Sequence, residues 1–544
     1  MPASPAPEDR PHDRPPVVNA ELVSDPAWPA SPPVRLREIL AVFGIVVVAD
    51  ITIYRGAGFA GIAALLCAVS LLLWFGKAAR TARKWSTLLI MAMLWLLAAR
   101  IVWCGSILRT IVGAGVLLAF AVVLSGLHPY VAEVLGFPAR MLLGGTRGIV
   151  DYRRGLARLH IAPTRSRWLS VTLPLVTVVL FSLLFVLANP DLLSVLGQWA
   201  DQVLQNIRAW VLDRLPPGLE VLFWMVTAWI AIGMLRPLSA RPLFDEETRA
   251  SDPSGDATSV SSSWYPAVRN TLVGVIVLFA IYLIFEFQTL WFRDFPKGFY
   301  YSGYAHQGAA WLTVALALAT VVLSLAFRGQ LLRDARVRTL RQMAWIWSLQ
   351  NMLLAVAVYH RMFIYIGFNG WTPMRMVGLY GISAVVIGFL LVLWKIARNH
   401  SFPWLAQRHA WTVAWAVYLF ALTPVDAIVT RQNVRRILAG DPAPSVQISV
   451  HPISAEGVTL LEPLLECRDT VIREGVRAFL AERHEQARRA VERQHADGWT
   501  AYQCADRWVL DRLDACQDQL ARYQDPTRRQ AALDAFHHYA YQWY

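Results

Sequence analysis

What most constrains this chain is a repeated run of apolar residues, each about long enough to cross a membrane as a helix. A spanning helix needs about 20 largely apolar residues. Runs of that kind fall near 37–54, 58–75, 86–103, 107–126, 168–188, 217–235, 268–291, 308–327, 343–363, 376–395 and 409–429. They predict an all-α fold with about eleven spanning helices, the first and last being the weakest. Composition agrees, because 56% of the residues are hydrophobic and only 16% charged, below the roughly 25% charged of soluble domains. The expected organisation is a Pro-rich arm over 1–34, a transmembrane bundle over 35–429 and a soluble, mainly helical domain over 430–544. The arm holds ten Pro and no apolar core, so it reads as disordered, with no cleavable signal peptide visible.

The net charge of +13 would suggest nucleic acid in a soluble protein. Here the basic residues cluster in short loops between apolar runs, so topology accounts for them and no nucleic-acid partner is expected. With the N-terminus in the cytoplasm, the inner loops hold twenty-two Lys and Arg and the outer loops seven. An odd number of spans then places the C-terminal domain outside. The expected location is therefore a membrane, crossed many times. The twenty-three Trp suit a chain that crosses the membrane–water interface many times. Two further stretches, 131–158 and 191–214, are amphipathic and interleaved with charge, and read either as interfacial helices or as helices packed on the bundle.

Ionisable groups within spans cost a few kcal/mol each on insertion scales (about 3) and so mark candidate sites. Asp50, Arg100, Glu286, His360, Arg361 and Asp426 all fall in the outer third of their spans, and Tyr304 and His306 open the eighth from the same side. With Tyr365, Arg375 and Asn433 they form a candidate outer polar cluster. The alternative is independent snorkelling at span ends. Gln350 and Asn351 are the most central polar pair, so no proton relay across the bilayer is visible. The loop Gly367–Pro373 is suited to a defined turn. Asn369-Gly370 can supply positive φ, Thr372 can cap the next helix and Pro373 can take its first position. Arg361 and Arg375 are expected within reach of Glu286 or Asp426.

Catalytic signatures are missing: there is no GxxxxGK[ST], HExxH, GxSxG or CxxC, so no cofactor, metal or catalytic residue is assigned and the reading leans away from an enzyme. Gly56-Ala57-Gly58-Phe59-Ala60-Gly61 matches GxGxxG but opens an apolar span with no strand before it. It reads as a tight turn with close helix packing. Five Cys show no zinc spacing. In the C-terminal domain Asp441–Pro444 reads as a turn and Val446–Val450 as a short strand. Residues 502–523 read as one helix whose face carries Tyr502, Ala505, Val509, Leu513, Cys516, Leu520 and Tyr523, which leaves Cys504 pointing elsewhere. A disulfide from Cys467 to Cys504 or Cys516 stays open.

The segment Tyr359-His360-Arg361-Met362-Phe363-Ile364-Tyr365 through Gly370-Trp371-Thr372-Pro373-Met374-Arg375 resembles a pattern of the form YRMxLYxxxxGLTxxR, with Trp371 in place of Leu. Asp426-Ala427-Ile428-Val429-Thr430-Arg431-Gln432-Asn433-Val434 resembles DAxIARxNIxR. Trp499-Thr500-Ala501-Tyr502-Gln503-Cys504-Ala505-Asp506-Arg507 resembles a tail motif, with Gln503 and Cys504 departing from its Asn. These segments resemble the bacterial polytopic membrane family called domain of unknown function 4153/4173, over roughly residues 270–520. The resemblance implies a topology and no reaction. Three functions remain: a binding or signalling component, a transporter of a small or lipid-like solute, and an enzyme on a lipid-linked substrate at the outer leaflet. Membrane lipid, and a protein bound through the C-terminal domain, are the expected partners.

Overall fold

The computed structural model describes residues 33–77, 85–158, 178, 216–238, 264–291, 301–326, 336–398 and 400–543. Helices dominate, with no strand among the described residues. In the first half, α1 (Leu36–Ala49) runs into a π-helical turn (Asp50–Tyr54), followed by α2 (Phe59–Gly76), α3 (Trp85–Trp103), α4 (Ile107–Leu124), α5 (Val131–Arg158) and α6 (Gly218–Leu235). The second half comprises α7 (Tyr265–Trp291), α8 (Tyr301–Ala326), α9 (Val337–Asn369), α10 (Pro373–Arg398) and α11 (Phe402–Leu422).

Among the described residues, seven helices are long and apolar enough to cross a membrane: α2, α3, α4, α6, α7, α9 and α10. The count of eleven is therefore not reached among the described residues. The expected span 168–188 and the amphipathic helix 191–214 lie outside them, apart from residue 178. The first run has only fourteen α-helical residues before its π-turn, and the fully described apolar part of α8 is Ala310–Leu323. The run at 409–429 is broken, because Thr423-Pro424 ends α11 and the chain turns 64° into α12 (Val425–Leu438). Pro424 has no N–H to extend the ladder of α11. Counting that bent pair as one span gives eight. Asp426 accordingly opens α12 instead of ending a span.

The outer surface of the bundle is apolar, as a lipid-facing surface must be. On α7, Val277, Leu278, Ile281 and Ile284 are each more than half exposed, which a soluble helix would not tolerate as a continuous stripe. Inside, the first half packs Leu73, Phe120, Phe137 and Leu235 together. The second half packs Leu272, Leu316, Trp347 and Phe389. Helix α11 joins the halves: Leu405 belongs to the second core, while Tyr418 and Ala421 pack with Leu94 and Leu97 of the first. Helix α5 packs on the bundle, burying Phe137, Met141 and Tyr152. Its Gly144, Gly145 and Gly148 let its backbone approach α6 closely.

The C-terminal domain forms a cap with its own core. After α12 come α13 (Ser445–Val450), α14 (Ala455–Val458), a 3₁₀ segment (Thr459–Glu466), α15 (Thr470–Asp497), α16 (Cys504–Asp514), α17 (Gln517–Leu520) and α18 (Pro526–Tyr541). Leu461, Leu464, Val476, Leu480 and Leu513 are fully buried at its centre. Asp469 caps α15 by accepting from the N–H groups of Val471 and Ile472. The expected strand Val446–Val450 is instead helix α13. Its alternating Val446, Ile448 and Val450 have no neighbouring strand to pair with, and a lone strand leaves its ladder unmade. The single helix expected over 502–523 is broken at Gln503, which is extended, and at Cys516. Ala505, Val509, Leu513, Leu520 and Tyr523 are still buried, but Cys516 is only half-buried, and Tyr502, which precedes the helix, is exposed. All five cysteines are free thiols, so no disulfide links the cap.

Candidate functional site

The loop from α9 to α10 is built from its own turn chemistry. Gly370 takes φ 98° and ends α9, a conformation that favours glycine. Thr372 Oγ1 accepts from Arg375 N at 3.1 Å and caps α10, with Pro373 at its first position. Asn433, on α12, locks this loop by pairing with both backbone groups of Trp371. Its Oδ1 accepts from Trp371 N at 2.7 Å, and its Nδ2 donates to Trp371 O at 2.9 Å. A Cβ on Gly370 would lie 2.6 Å from Asn433 Oδ1. Arg436 donates to the carbonyls of Ile366 and Gly367 at 2.7 and 2.6 Å, satisfying the open end of α9. Gln447 donates to Asn369 O at 2.9 Å. The loop is thus a socket for the cap.

Of the two candidate acids, Glu286 is the partner of Arg361. Arg361 Nε and Nη2 reach Glu286 Oε1 and Oε2, both at 2.6 Å, with side chains 6% and 1% exposed. Tyr282 adds a third bond to the carboxylate at 2.9 Å. Such a fork is the strong form of an Arg–carboxylate pair. Asp426 does not reach Arg361; its Oδ2 accepts from Ser454 N at 3.1 Å. No acid among the described residues pairs with Arg375. Arg375 donates to Gly370 O and Asn369 Oδ1 and lies 3.7 Å from the centroid of the Tyr365 ring.

The remaining candidates divide into separate networks instead of converging on one cavity. Arg100 donates to both oxygens of Glu456 at 2.9 Å and to Leu422 O at 3.0 Å. Arg109 reaches Glu456 Oε1 at 3.1 Å. One buried cap carboxylate therefore holds the cap-side ends of α3 and α4. Asp50 pairs with Arg55 at 3.0 Å and accepts from Trp224 Nε1 at 2.8 Å, and Arg55 also bonds Glu220. His360 lies on α9, one residue before the paired arginine. Tyr304 and His306 lie on α8, with their side chains outside the described set.

Sequence reasoning missed Glu456, Glu220, Arg109 and the contact made by the tail motif. The 3₁₀ turn Trp499–Ala501 docks on the Gly-rich opening of α2. Ala57 N donates to Thr500 Oγ1 at 3.1 Å, and a Cβ on Gly58 would fall 2.7 Å from Ala501 Cα. Gln503 accepts from Gly105 N and donates to Ile101 O at 3.3 Å. The GxGxxG spacing is thus a docking surface for the cap. Far from it, Arg236 pairs with Glu38 at 2.8 Å near the opposite end of α1. Mid-bundle, Gln350 donates to Ile276 O at 3.0 Å and Asn351 to Trp347 O at 2.7 Å. Among the described residues, no three His, Cys, Asp or Glu side chains group as a metal site.

No curated protein and no solved structure matches the chain. A family model does, over residues 60–461, from the start of α2 to the first cap helices. The match covers the early spans, whose resemblance to the family is only generic, and it stops before the tail segment 499–507. Spanning well over half of the chain, it shows that this membrane protein belongs to the family described as Domain of unknown function (DUF4153).

Proposed function

We propose that the chain is a multi-pass component of the bacterial inner membrane, with a cytoplasmic N-terminus and an extracytoplasmic cap, that binds or signals instead of catalysing. The carrying observation is that each carboxylate of the candidate cluster has a structural partner: Asp50 with Arg55, Glu286 with Arg361, and Asp426 with Ser454 N. A general base needs an oxygen poised toward substrate, and these oxygens are engaged in holding helices. Cap movement would instead be felt directly by α3 and α4 through Glu456, and by α9 and α10 through Asn433. Trp499, Tyr502 and Trp508 stay exposed on the cap. Aromatics of that kind are enriched at protein interfaces.

The test is site-specific photo-cross-linking in cells from Trp508 on the cap, with Ile281 on the lipid face as the control. One protein partner enriched at Trp508, and reduced by Glu456→Gln, is the expected result. Identical products at both positions, or solute flux by the purified protein in proteoliposomes, would overturn the binding role.

A further inference from the structure

Arg375 is 5% exposed, and no carboxylate among the described residues pairs with it. Its partners are the Gly370 carbonyl, the Asn369 amide oxygen and the Tyr365 ring, and its Nε has no hydrogen bond. A guanidinium carries five N–H donors, and the protein engages two of its nitrogens. A buried cation compensated only by neutral groups is costly, and an oxyanion is the ligand that would relieve it.

Arg375 lines a groove of about 320 Å³ between α8, α9 and α10, within the usual range of ligand sites (about 300–1,000 Å³). One end is polar, with Arg375, Thr372 and Tyr365. The walls beyond it are apolar, with Met362, Val377 and Ile382. From Thr372 to Ile382 the helical rise is about 15 Å, half of the roughly 30 Å hydrocarbon core. The groove therefore has a cationic head and a tail one leaflet deep. It also has room, because a Cβ on Gly381 would meet nothing within 4 Å.

We propose that this groove binds an anionic phospholipid from the leaflet on the cap side, its phosphate against Arg375 and one acyl chain along Val377 and Ile382. Thr372 Oγ1 accepts from Arg375 N, which leaves its hydroxyl proton to donate to a phosphate oxygen. The site does not depend on the binding or signalling role of the cap, so either can fail without the other.

The experiment is native mass spectrometry of protein released from nanodiscs of equal phosphatidylglycerol and phosphatidylcholine, for wild type, Gly381→Leu and Arg375→Gln. Wild type should retain phosphatidylglycerol over phosphatidylcholine by about tenfold, as expected for a charge-assisted contact. Gly381→Leu should lose the retained lipid at an unchanged melting temperature, and Arg375→Gln should bring the preference near one. Should Arg375→Gln fail to fold, Gly381→Leu decides alone. Equal retention of both lipids by wild type, full retention by Gly381→Leu, or displacement of the lipid by millimolar inorganic phosphate would overturn the assignment.

Discussion

Removing one member of the Arg361–Glu286 pair should be worse than removing both. The two side chains are 6% and 1% exposed and joined by two bonds of 2.6 Å. Arg361→Gln strands a buried carboxylate, and Glu286→Gln strands a buried guanidinium. Breaking one side of a buried pair costs about 3–5 kcal/mol. The double variant leaves two neutral amides that can share a hydrogen bond worth about 1 kcal/mol. It should therefore be no less stable than either single variant, giving a coupling energy of about 3 kcal/mol or more, the upper range for contacting residues. Unfolding of the four proteins in mixed micelles with increasing sodium dodecyl sulfate measures this cycle. Asp426→Asn is the control: its partner is Ser454 N, so its cost should simply add to that of Arg361→Gln. Additivity between Arg361 and Glu286 would refute the pairing, and coupling between Arg361 and Asp426 would refute the assignment of partners.

The cap should loosen when its carboxylate anchor is removed. Glu456→Gln strands Arg100 and Arg109, a loss of about 3 kcal/mol or more, read as faster hydrogen exchange at the interface between the cap and α3 and α4. Gly58→Ala should destabilise the same interface by about 1–3 kcal/mol through overpacking, because its Cβ would fall 2.7 Å from Ala501 Cα. Gly115→Ala, in open space on α4, should be neutral or stabilising by up to about 1 kcal/mol; equal effects of the two on the melting temperature would contradict the docking. His451 in the cap has its pKa lowered from 6.5, by burial and then by the field of Arg375. Its neutral form is favoured on folding, so its contribution is complete above pH 6.5 and is lost as pH falls through the lower folded value. Melting midpoints between pH 7.5 and 5.5 should therefore fall more steeply in wild type than in His451→Gln, and parallel curves would remove His451 from the account.

The bundle was legible because a spanning helix writes a long apolar run into the chain, and α2, α3 and α4 follow those runs closely. The α9–α10 loop was legible because Gly370, Thr372 and Pro373 each carry a local backbone requirement. The strand assigned to Val446–Val450 failed because alternation over five residues cannot reveal whether a pairing strand exists. Glu456 was invisible for another reason. It is 356 positions from Arg100, and no local pattern distinguishes it from an exposed acid. The candidate cluster was read as one outer feature because its residues share a depth in their spans. Depth fixes only one coordinate, and the structure separates Asp50, Arg100, Arg361 and Arg375 into different networks.

The cap is expected to sit on the extracytoplasmic ends of the helices. The direct measurement fuses to the C-terminus, in parallel, a phosphatase active only outside the cytoplasm and a fluorescent protein that matures only inside it. The docking of Glu456, Asn433 and Thr500 on helix ends near the sparsely charged loops, together with the twenty-two-to-seven bias of basic residues, predicts high phosphatase activity and no fluorescence. Strong fluorescence without phosphatase activity would place the cap in the cytoplasm and contradict the account.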